Sequence, residues 1–548
     1  MPRRNLNLLL ILLLLATNLV VAKAQTKEPV AQERVGVNPS DAQPLTLNEA
    51  IRLALENNND IQASRIDVEK AEHNLTASRG AYDPLLFSES YFERTSTPVT
   101  SFIGGSNNGS LKLKDFTSKA GLSGLAPKFG GSYNIEMSST RLSSNNFFNA
   151  LDPIISSRVT FSYTQPLVRG LHTDDSRRRI EIAKKNLTLT DVQFRQRATE
   201  VITHVEQAYW ELVQALKNLQ VQNEAVKQTR AQVETNRRQV AQGVLAPIDV
   251  VEAEAQVKIY EQNVYAAQED VTRAENALKT LMLRDRNAEL WSRALLPVTP
   301  VSLDVPRISL PQAISMALAN RFELAELRTN SEINEIDRRF YRDQTKPQVD
   351  LTMSYSSNGV AGTLTDNENP LPIGNPIPAD LQGGYGRSLS NLLGQDNPTV
   401  RVGVRISLPL KNRTAKAQLG HSLAEGRRLD TVRAQTEQLI EADVRNAMQR
   451  VRSVEARMSA AVAQREAAEQ QYTSEQRKFQ AGMSTVFLVL QRQTDLVTAR
   501  GRELETQTDL NKAVADFQRA TGNTFSYRNV AVTSEKGDVY VGLKTEQN

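Results

Sequence analysis

The sequence contains no cysteine, although its first residues have the features of an export signal. Arg3 and Arg4 precede an unbroken apolar run, Leu8 to Leu15, and Ala22-Lys23-Ala24 forms an A-x-A cleavage site. Residues 1–24 are therefore predicted to be a signal peptide. An exported chain without disulfides must be stabilised by burial or by assembly, and it has no N-terminal cysteine to carry a lipid.

Long apolar runs and an excess of charge are also missing from the remainder of the chain. No later stretch of about 18 apolar residues occurs, so the sequence predicts no transmembrane helix after the signal. Loss of Arg3, Arg4 and Lys23 reduces the 66 basic residues to 63, against 62 acidic ones. The mature chain is thus nearly neutral, and its charge gives no reason to expect a nucleic-acid partner.

The residues that usually form catalytic and metal sites are few and scattered. Four histidines occur, none in a paired metal-ligand motif: His73, His172, His204 and His421. The densest polar cluster is His172 to Asp175, where Asp174 and Asp175 are better explained as caps of a following helix. No glycine-rich phosphate loop and no G-x-S-x-G turn is present. We predict no enzymatic activity, no cofactor and no metal site.

Glycine and proline are absent from two long stretches, residues 172–242 and 427–481. A helix of about 65 residues would be roughly 100 Å long and would need lateral support. That support is indicated by apolar residues at every seventh position, which predicts coiled-coil packing. The first stretch carries Val205, Leu212, Leu219, Val226, Val233 and Val240, and the second carries Val444, Val451, Met458, Tyr472 and Phe479, with Arg465 as its one charged break.

Each long stretch ends in a short reversal that predicts an antiparallel helical hairpin. Gly243 tolerates a positive φ, and Pro247 suits the first turn of the next helix. Gly482 is followed by Ser484 and Thr485, whose hydroxyls suit a helix cap. The helices after the turns continue the heptads, with the positions Val250, Val257, Val264, Val271 and Leu278 in the first hairpin.

The chain contains an internal duplication. Leu45 to Asn57 reappears as Ile308 to Asn320 at an offset of 263, whereas Gly243 and Val250 correspond to Gly482 and Val489 at an offset of 239. The falling offset means that the copies keep the order of their elements and differ in loop length. A repeat of this size is a half-domain, which predicts a pseudo-symmetric structure able to surround an axial channel.

Between the helical stretches the apolar period changes from seven to two. Val159, Phe161 and Tyr163 alternate with polar residues, and Val400 to Leu408 alternates in the second copy. Strands of about ten residues with one apolar and one polar face are typical of a membrane barrel, with a soluble β-sandwich as the alternative. Twelve of the 30 aromatic residues lie between Tyr82 and Tyr163, as expected for an interfacial girdle.

Two strands per half give about four per chain, too few to close a transmembrane barrel, so the protein is expected to oligomerise. Residues 111–141, with Leu111 and Leu113 followed by Tyr133, Ile135 and Met137, suggest an extra hairpin that the sequence does not place.

Several segments resemble the TolC-type outer-membrane efflux proteins. They are Leu45 to Leu55, Gln165-Pro166-Leu167, Ala208 to Leu212 and Gly482 to Gln491, and the resemblance extends over about residues 45 to 525. It implies a mainly α protein in which long helical hairpins form an α-barrel. Three chains would share one twelve-stranded β-barrel in the outer membrane, with a homotrimer extending into the periplasm.

The resemblance also implies a set of partners and site residues. A periplasmic adaptor and an inner-membrane RND or ABC-type transporter would work with the channel, and the helical tips would contact the adaptor: Gly243, Val244, Leu245, Gly482, Met483 and Ser484. The family often has two acidic residues that ring the aperture just beyond the second tip. The corresponding positions of this chain hold Leu488 and Gln491, so the acidic ring is missing from that tip. The aperture candidates are Asp249, Glu252, Gln491 and Asp495. For Asp249 and Glu252, an ordinary solvated helix start is the alternative.

The predicted organisation follows from the repeat and the resemblance. The expected segments are the signal peptide (1–24), an N-terminal periplasmic segment (25–44), a first repeat (45–283), a linker (284–307), a second repeat (308–525) and a tail (526–548). Within the repeats, strands are expected in 83–167 and 347–410, and helical hairpins in 172–283 and 427–521. The predicted function is that of an exit duct for a tripartite efflux pump or a type I secretion system in a Gram-negative outer membrane. The alternative is a soluble periplasmic coiled-coil adaptor or scaffold.

Overall fold

A computed structural model describes residues 34–100, 105–106, 109–300, 305–365 and 376–533. The predicted signal peptide, residues 301–304 of the predicted linker and most of the predicted tail lie outside these residues. The chain divides into two compact units, each built from separate pieces of sequence. The tip unit comprises residues 34–63, 195–321 and 440–533 of the described chain, and the sheet unit comprises 64–194 and 322–439.

The first half of the chain contains a short helical pair, four strands and a long helical hairpin. In order, its elements are β1 (Asn38–Leu45), α1 (Leu47–Asn57), α2 (Asn59–Arg79), β2 (Leu85–Pro98), β3 (Ser110–Leu125), β4 (Ser132–Ser144), β5 (Leu151–Pro166), α3 (Asp175–Ala241) and α4 (Pro247–Met282). A 3₁₀ turn, Gly80–Tyr82, precedes β2, and another, Glu289–Trp291, follows α4.

The second half repeats this plan with fewer strands. Its elements are β6 (Arg293–Pro297), α5 (Leu310–Asn320), α6 (Phe322–Gln344), β7 (Gln348–Leu364), α7 (Tyr385–Gly394), β8 (Pro398–Ser407), α8 (Arg413–Gln480), α9 (Val486–Ala520) and α10 (Thr524–Tyr527), with a 3₁₀ turn at Ala379–Leu381.

The predicted duplication is confirmed at the level of element boundaries. Helices α1 and α5 are related residue for residue by the offset of 263. At the hairpins, α3 and α8 end, and α4 and α9 begin, at positions related by 239. The caps also correspond, because the Thr46 hydroxyl accepts the Glu49 N–H and Ser309 faces Gln312 in the equivalent capping box.

Helix α8 begins 14 residues before the predicted stretch and includes Gly420 and Gly426. Glycine weakens an isolated helix by about 1 kcal/mol relative to alanine, but tertiary packing can override this preference. At Gly426 a Cβ atom would lie 3.1 Å from the side-chain amide nitrogen of Asn334, so this glycine allows α8 and α6 to approach closely.

The tip unit also contains a small parallel sheet, in which β1 pairs with β6. The side chains behind it are buried, and the Tyr209 hydroxyl donates to the carbonyl of Leu45 while accepting the Thr299 N–H. Lys279 and Glu275 form a fully buried ion pair, and Lys279 also donates to the carbonyls of Trp291 and Arg293. These contacts anchor the segment between the repeats to α4, since buried charges require partners.

The sheet unit contains one antiparallel sheet of six strands in the order β2-β3-β4-β5-β7-β8. About four strands were expected, and the structure corrects this count because residues 111–141 form β3 and β4 between β2 and β5. The sequence obscured these strands because the apolar residues of β3 change parity. Leu111 and Leu113 are odd-numbered, whereas Phe116, Ala120 and Leu122 are even-numbered and lie on the opposite face.

Helix α7 packs on the sheet at β5 and β7. The buried Ser388 hydroxyl donates to the Gly359 carbonyl and lies 2.9 Å from the Ser157 hydroxyl, while the Ser357 hydroxyl donates to the Leu392 carbonyl. A Cβ atom at Gly359 would lie 2.1 Å from the Ser388 carbonyl oxygen, so only glycine permits this approach.

Candidate functional site

The two helical hairpin tips have the same backbone geometry. At the first tip, Gly243 has a φ of +73°, its N–H donates to the Val240 carbonyl, and the Val244 N–H donates to the Gln239 carbonyl. At the second tip, Gly482 has a φ of +72°, with equivalent bonds from Gly482 to Phe479 and from Met483 to Lys478. Both are Schellman motifs, which satisfy the last carbonyls of a helix with a left-handed residue.

The helix that leaves each tip is capped by a different residue type. At the first tip the Asp249 carboxylate accepts the Ala246 N–H at 3.1 Å, the position that an acidic residue takes in a capping box. At the second tip the Thr485 hydroxyl accepts the Leu488 N–H at 3.4 Å. Asp249 therefore caps the start of α4.

An apolar cluster joins the two hairpins just behind their tips. Its buried members are Val233, Ala253, Val257, Phe479, Val486, Val489 and Leu490, with Leu245, Val250 and Tyr472 packed against them. Three of the seven buried side chains come from the first hairpin and four from the second. The heptad residues thus bury one hairpin against the other, and the two tips form a single surface.

Polar side chains are buried farther along the same interface. Thr229 and Gln493 are almost fully buried, and the Gln493 amide donates to the Thr229 hydroxyl at 2.9 Å. The Tyr260 and Thr494 hydroxyls lie 3.1 Å apart. Burial raises the pKa of Tyr260, so its phenol stays protonated. These contacts specify how the hairpins align, because a shift would leave buried polar groups unpaired.

Ser484 binds the preceding helix rather than pointing freely into solvent. Its hydroxyl donates to the carboxylate of Glu475, one turn before the end of α8. This hydrogen bond, with a smaller contribution from Lys478, lowers the pKa of Glu475. The contact fixes the turn at the second tip in addition to the Schellman bonds.

Apolar side chains are exposed on both tips. We use the name tip surface for Val244, Ile248, Val251, Met483 and Phe487, each more than half exposed in the isolated chain. Met483 and Val244 occupy equivalent positions after the two tip glycines and are 74% and 68% exposed. Large apolar side chains that are exposed together near a turn are typical of interaction surfaces.

The four aperture candidates differ in their contacts. Asp249 caps α4, and Asp495 forms an ion pair with Arg492 at 3.1 Å. Glu252 and Gln491 are exposed on the second turns of α4 and α9. All four lie within the first ten or so residues after a tip turn, but the structure of one chain does not bring them together as a ring.

The sequence and the fold were compared with known proteins. The family model for outer membrane efflux proteins matches residues 118–282 and 313–523, more than half of the chain and parts of both repeats. The chain belongs to the outer membrane efflux protein family. No curated protein matches the sequence.

Several solved outer membrane channels have the fold of this family member. The CmeC outer membrane channel of Campylobacter jejuni is 16% identical with a TM-score of 0.61, and the match covers 87% of this chain and 86% of that one. The outer membrane protein VceC of Vibrio cholerae is 15% identical with a TM-score of 0.57, covering 87% and 96%. The MtrE outer membrane channel of Neisseria gonorrhoeae, in its open state, is 17% identical with a TM-score of 0.57, covering 87% and 89%.

Family membership and the structure confirm the predicted mainly α fold with duplicated helical hairpins and a sheet. Family membership also confirms an efflux channel rather than an enzyme, and an outer-membrane setting. Within the described parts of the chain, no group of three or more His, Asp or Glu side chains is arranged to hold a metal ion. The Asp174 carboxylate accepts the Arg177 N–H at 2.7 Å, which agrees with its interpretation as a helix cap.

None of the helices in the described residues combines the length and apolar character needed to cross a lipid bilayer.

Two features of this efflux protein were missed from the sequence. Ile248, Val251 and Phe487 were not assigned to the tip surface, although each lies within the first five residues of α4 or α9 and outside the heptad positions. Thr229 was not recognised as buried. Thr229 lies three residues after the heptad residue Val226 and so occupies the second core position of that heptad. This spacing could have identified it as buried.

Proposed function

We propose that this protein is the outer-membrane exit duct of a tripartite efflux pump or a type I secretion system. In this proposal three copies form a homotrimer whose helical hairpins extend into the periplasm. A periplasmic adaptor binds the tip surface, and an inner-membrane RND or ABC-type transporter supplies the energy. The observation that carries the proposal is the exposed apolar tip surface, built twice by the duplicated hairpins of an outer membrane efflux protein.

The contacts behind the tips support a binding role. The Schellman motifs, the two caps and the Ser484–Glu475 hydrogen bond hold the turns in fixed conformations. A surface that is already ordered loses little conformational entropy when a partner binds. We assign the adaptor contact to Gly243, Val244 and Leu245 at the first tip and to Gly482, Met483 and Ser484 at the second.

The sheet unit supports the conducting role. One row of paired residues across the strands is polar from β4 to β8, and it runs Phe87, Gly121, Glu136, Thr160, Ser356 and Thr399. The next row on the opposite face is apolar, as expected of a sheet between lipid and a water-filled lumen. We also propose that Asp249, Glu252, Gln491 and Asp495 line the periplasmic aperture.

The absence of cysteine allows a direct test of the tip surface. Single cysteines would replace Met483 and Val244, with Ser459 as the control. Ser459 is exposed on α8, the helix that leads to the second tip, and it lies roughly 30 Å from the end of that helix at 1.5 Å per residue. Cells would be treated with a short thiol-to-amine cross-linker, and adducts would be identified by mass spectrometry. All three variants would also be labelled with a soluble maleimide to show that the thiols are accessible.

The expected result is an adduct with a periplasmic adaptor at positions 483 and 244 and none at 459. The adaptor's cognate transporter would then indicate the class of cargo. If all three thiols react with maleimide and none captures an adaptor, the tip assignment is rejected. Recovery of the protein in the soluble periplasmic fraction would instead support the scaffold alternative.

A further inference from the structure

The six-stranded sheet has a consequence for the size of the pore. We propose that β3 and β4 are part of the transmembrane wall, so that three chains close an 18-stranded barrel. This inference rests on the trimeric exit duct proposed above, and it replaces the twelve strands implied by the family resemblance. Four observations support it: the pairing of the extra strands, their faces, their lengths and the two open edges of the sheet.

Strands β3 and β4 are integral to the sheet and are not an appendage at its rim. Strand β3 pairs with β2 over 14 consecutive residue pairs, and β4 pairs with β5 over 11. Strands β2 and β5 are therefore separated by two strands and share no ladder. In a barrel with four strands per chain, β2 and β5 would have to be direct neighbours.

The two faces of the sheet continue through the extra hairpin. The apolar face carries one unbroken row across all six strands: Leu86, Leu122, Ile135, Phe161, Tyr355 and Val400. A row on the opposite face contains Glu89, Lys119, Ser138, Arg158 and Asn358. Register is specified where one face must be apolar, so this agreement indicates that β3 and β4 contact the same two environments as the other strands.

The length of the strands fits a bilayer. A tilted transmembrane strand needs about 9–11 residues. Strands β3 and β4 have 16 and 13 residues, and the shortest strand of the sheet, β8, has 10. The hairpin is therefore long enough to span the hydrocarbon region and does not need to end within it.

The edges of the sheet require a second copy of the chain. Strands β2 and β8 each have one neighbour, and the exposed side chains of β8 include Val400, Val402, Val404 and Ile406. An open edge in lipid would leave backbone groups without hydrogen bonds. Because the number of strands is even, β2 and β8 run in opposite directions, and β2 of one copy can pair antiparallel with β8 of the next.

The predicted effect is a wider lumen. The diameter of a barrel grows roughly linearly with strand number, so eighteen strands give about 1.5 times the diameter of twelve and about twice the cross-section. The inserted hairpin leaves β2 at its Pro98 end and returns at the Leu151 end of β5. It thus widens the sheet without altering the end at which β2 follows α2 or the end at which β5 leads into α3.

Paired cysteines test the strand order in native outer membranes. The Ser138→Cys/Arg158→Cys variant joins residues that are paired across β4 and β5. The Glu89→Cys/Arg158→Cys variant joins residues three strand spacings apart, roughly 14 Å, beyond the reach of a disulfide. After mild oxidation, the first pair is expected to form an intramolecular disulfide and the second is not. The reverse result would overturn the inference, because β2 and β5 would then be neighbours.

Electron cryo-microscopy of the detergent-extracted protein counts the strands directly. In the matched variant a two-residue Asn-Gly turn replaces residues 99–150, which removes β3 and β4 and joins β2 to β5. The expected maps show eighteen strands in the wild-type trimer and twelve in the variant. A wild-type trimer with twelve strands would overturn the inference and leave the exit-duct proposal standing. A wild-type protein that is not trimeric in the outer membrane would overturn both.

Discussion

The substitution Gly482→Ala measures how strongly the second tip depends on a left-handed residue. A Cβ atom at this position meets no heavy atom within 4 Å, so the substitution causes no steric clash with neighbouring groups. The entire cost comes from the φ of +72°, which an L-residue adopts at about 1–2 kcal/mol. Local opening of the tip should therefore become about 5- to 30-fold more frequent.

Hydrogen–deuterium exchange followed by mass spectrometry is the appropriate assay, since it reports local opening. The amide of Met483, which donates to Lys478, should lose protection by this factor after correction for intrinsic rates. Gly482→Asn should lose less, because asparagine tolerates the left-handed region.

The chain provides a matched control at Gly501. It lies inside α9 and also has no atom within 4 Å of an added Cβ, but it has helical geometry. Gly501→Ala should therefore stabilise its helix by about 0.5–1 kcal/mol. Unchanged protection of Met483 in Gly482→Ala would show that residue 482 is not held at positive φ, and the Schellman assignment would be rejected.

Three further predictions concern groups behind the tips and at the end of the described chain. Gln493→Leu should destabilise the hairpin interface by about 1–3 kcal/mol, because the buried Thr229 hydroxyl loses the amide that donates to it. Adding Thr229→Val should recover part of this loss. Denaturant unfolding of the two single variants and the double variant measures the coupling. Glu475 has a lowered folded-state pKa, so it stabilises the tip above its unfolded pKa and loses that effect as the pH falls through the folded pKa. Glu475→Gln should thus lower the melting temperature at pH 7 and have progressively less effect in acid, and a difference that grows on acidification would contradict this mechanism. Arg528→Leu should destabilise the protein by about 3–5 kcal/mol, because the nearly fully buried Glu206 would lose its bidentate partner. Faster proteolysis of the residues after 520 would reveal this destabilisation. Resistance to proteolysis equal to that of the wild type would refute the role of this ion pair.

The helical part of the fold was predictable because its signals are local and repeated. Val205, Leu212 and Val226 belong to a heptad of buried positions, and burial requires apolar side chains there. The glycine at each tip is the residue that suits a left-handed turn. The duplicated sequence then determines the second hairpin from the first.

The sheet was predicted less completely because strand identity depends on neighbours. Strand β8 was evident from Val400 to Ile406, since its alternation is uninterrupted. Strand β3 combines Leu113 on one face with Leu122 on the other, and only its pairing with β2 and β4 shows which face is apolar. The tip surface was likewise incomplete, because the exposure of Phe487 depends on how the two hairpins pack.

The way in which the extra hairpin joins the sheet suggests how pore width and pump recognition are inherited separately. Both ends of the β3–β4 segment lie at the same side of the sheet, so one insertion adds two strands and leaves the direction of every other strand unchanged. In an assembly of three chains, the barrel could therefore grow or shrink in steps of six strands. Selection for bulkier cargo could act on this segment alone, while the hairpin tips, encoded elsewhere in the chain, would keep the adaptor contact proposed above.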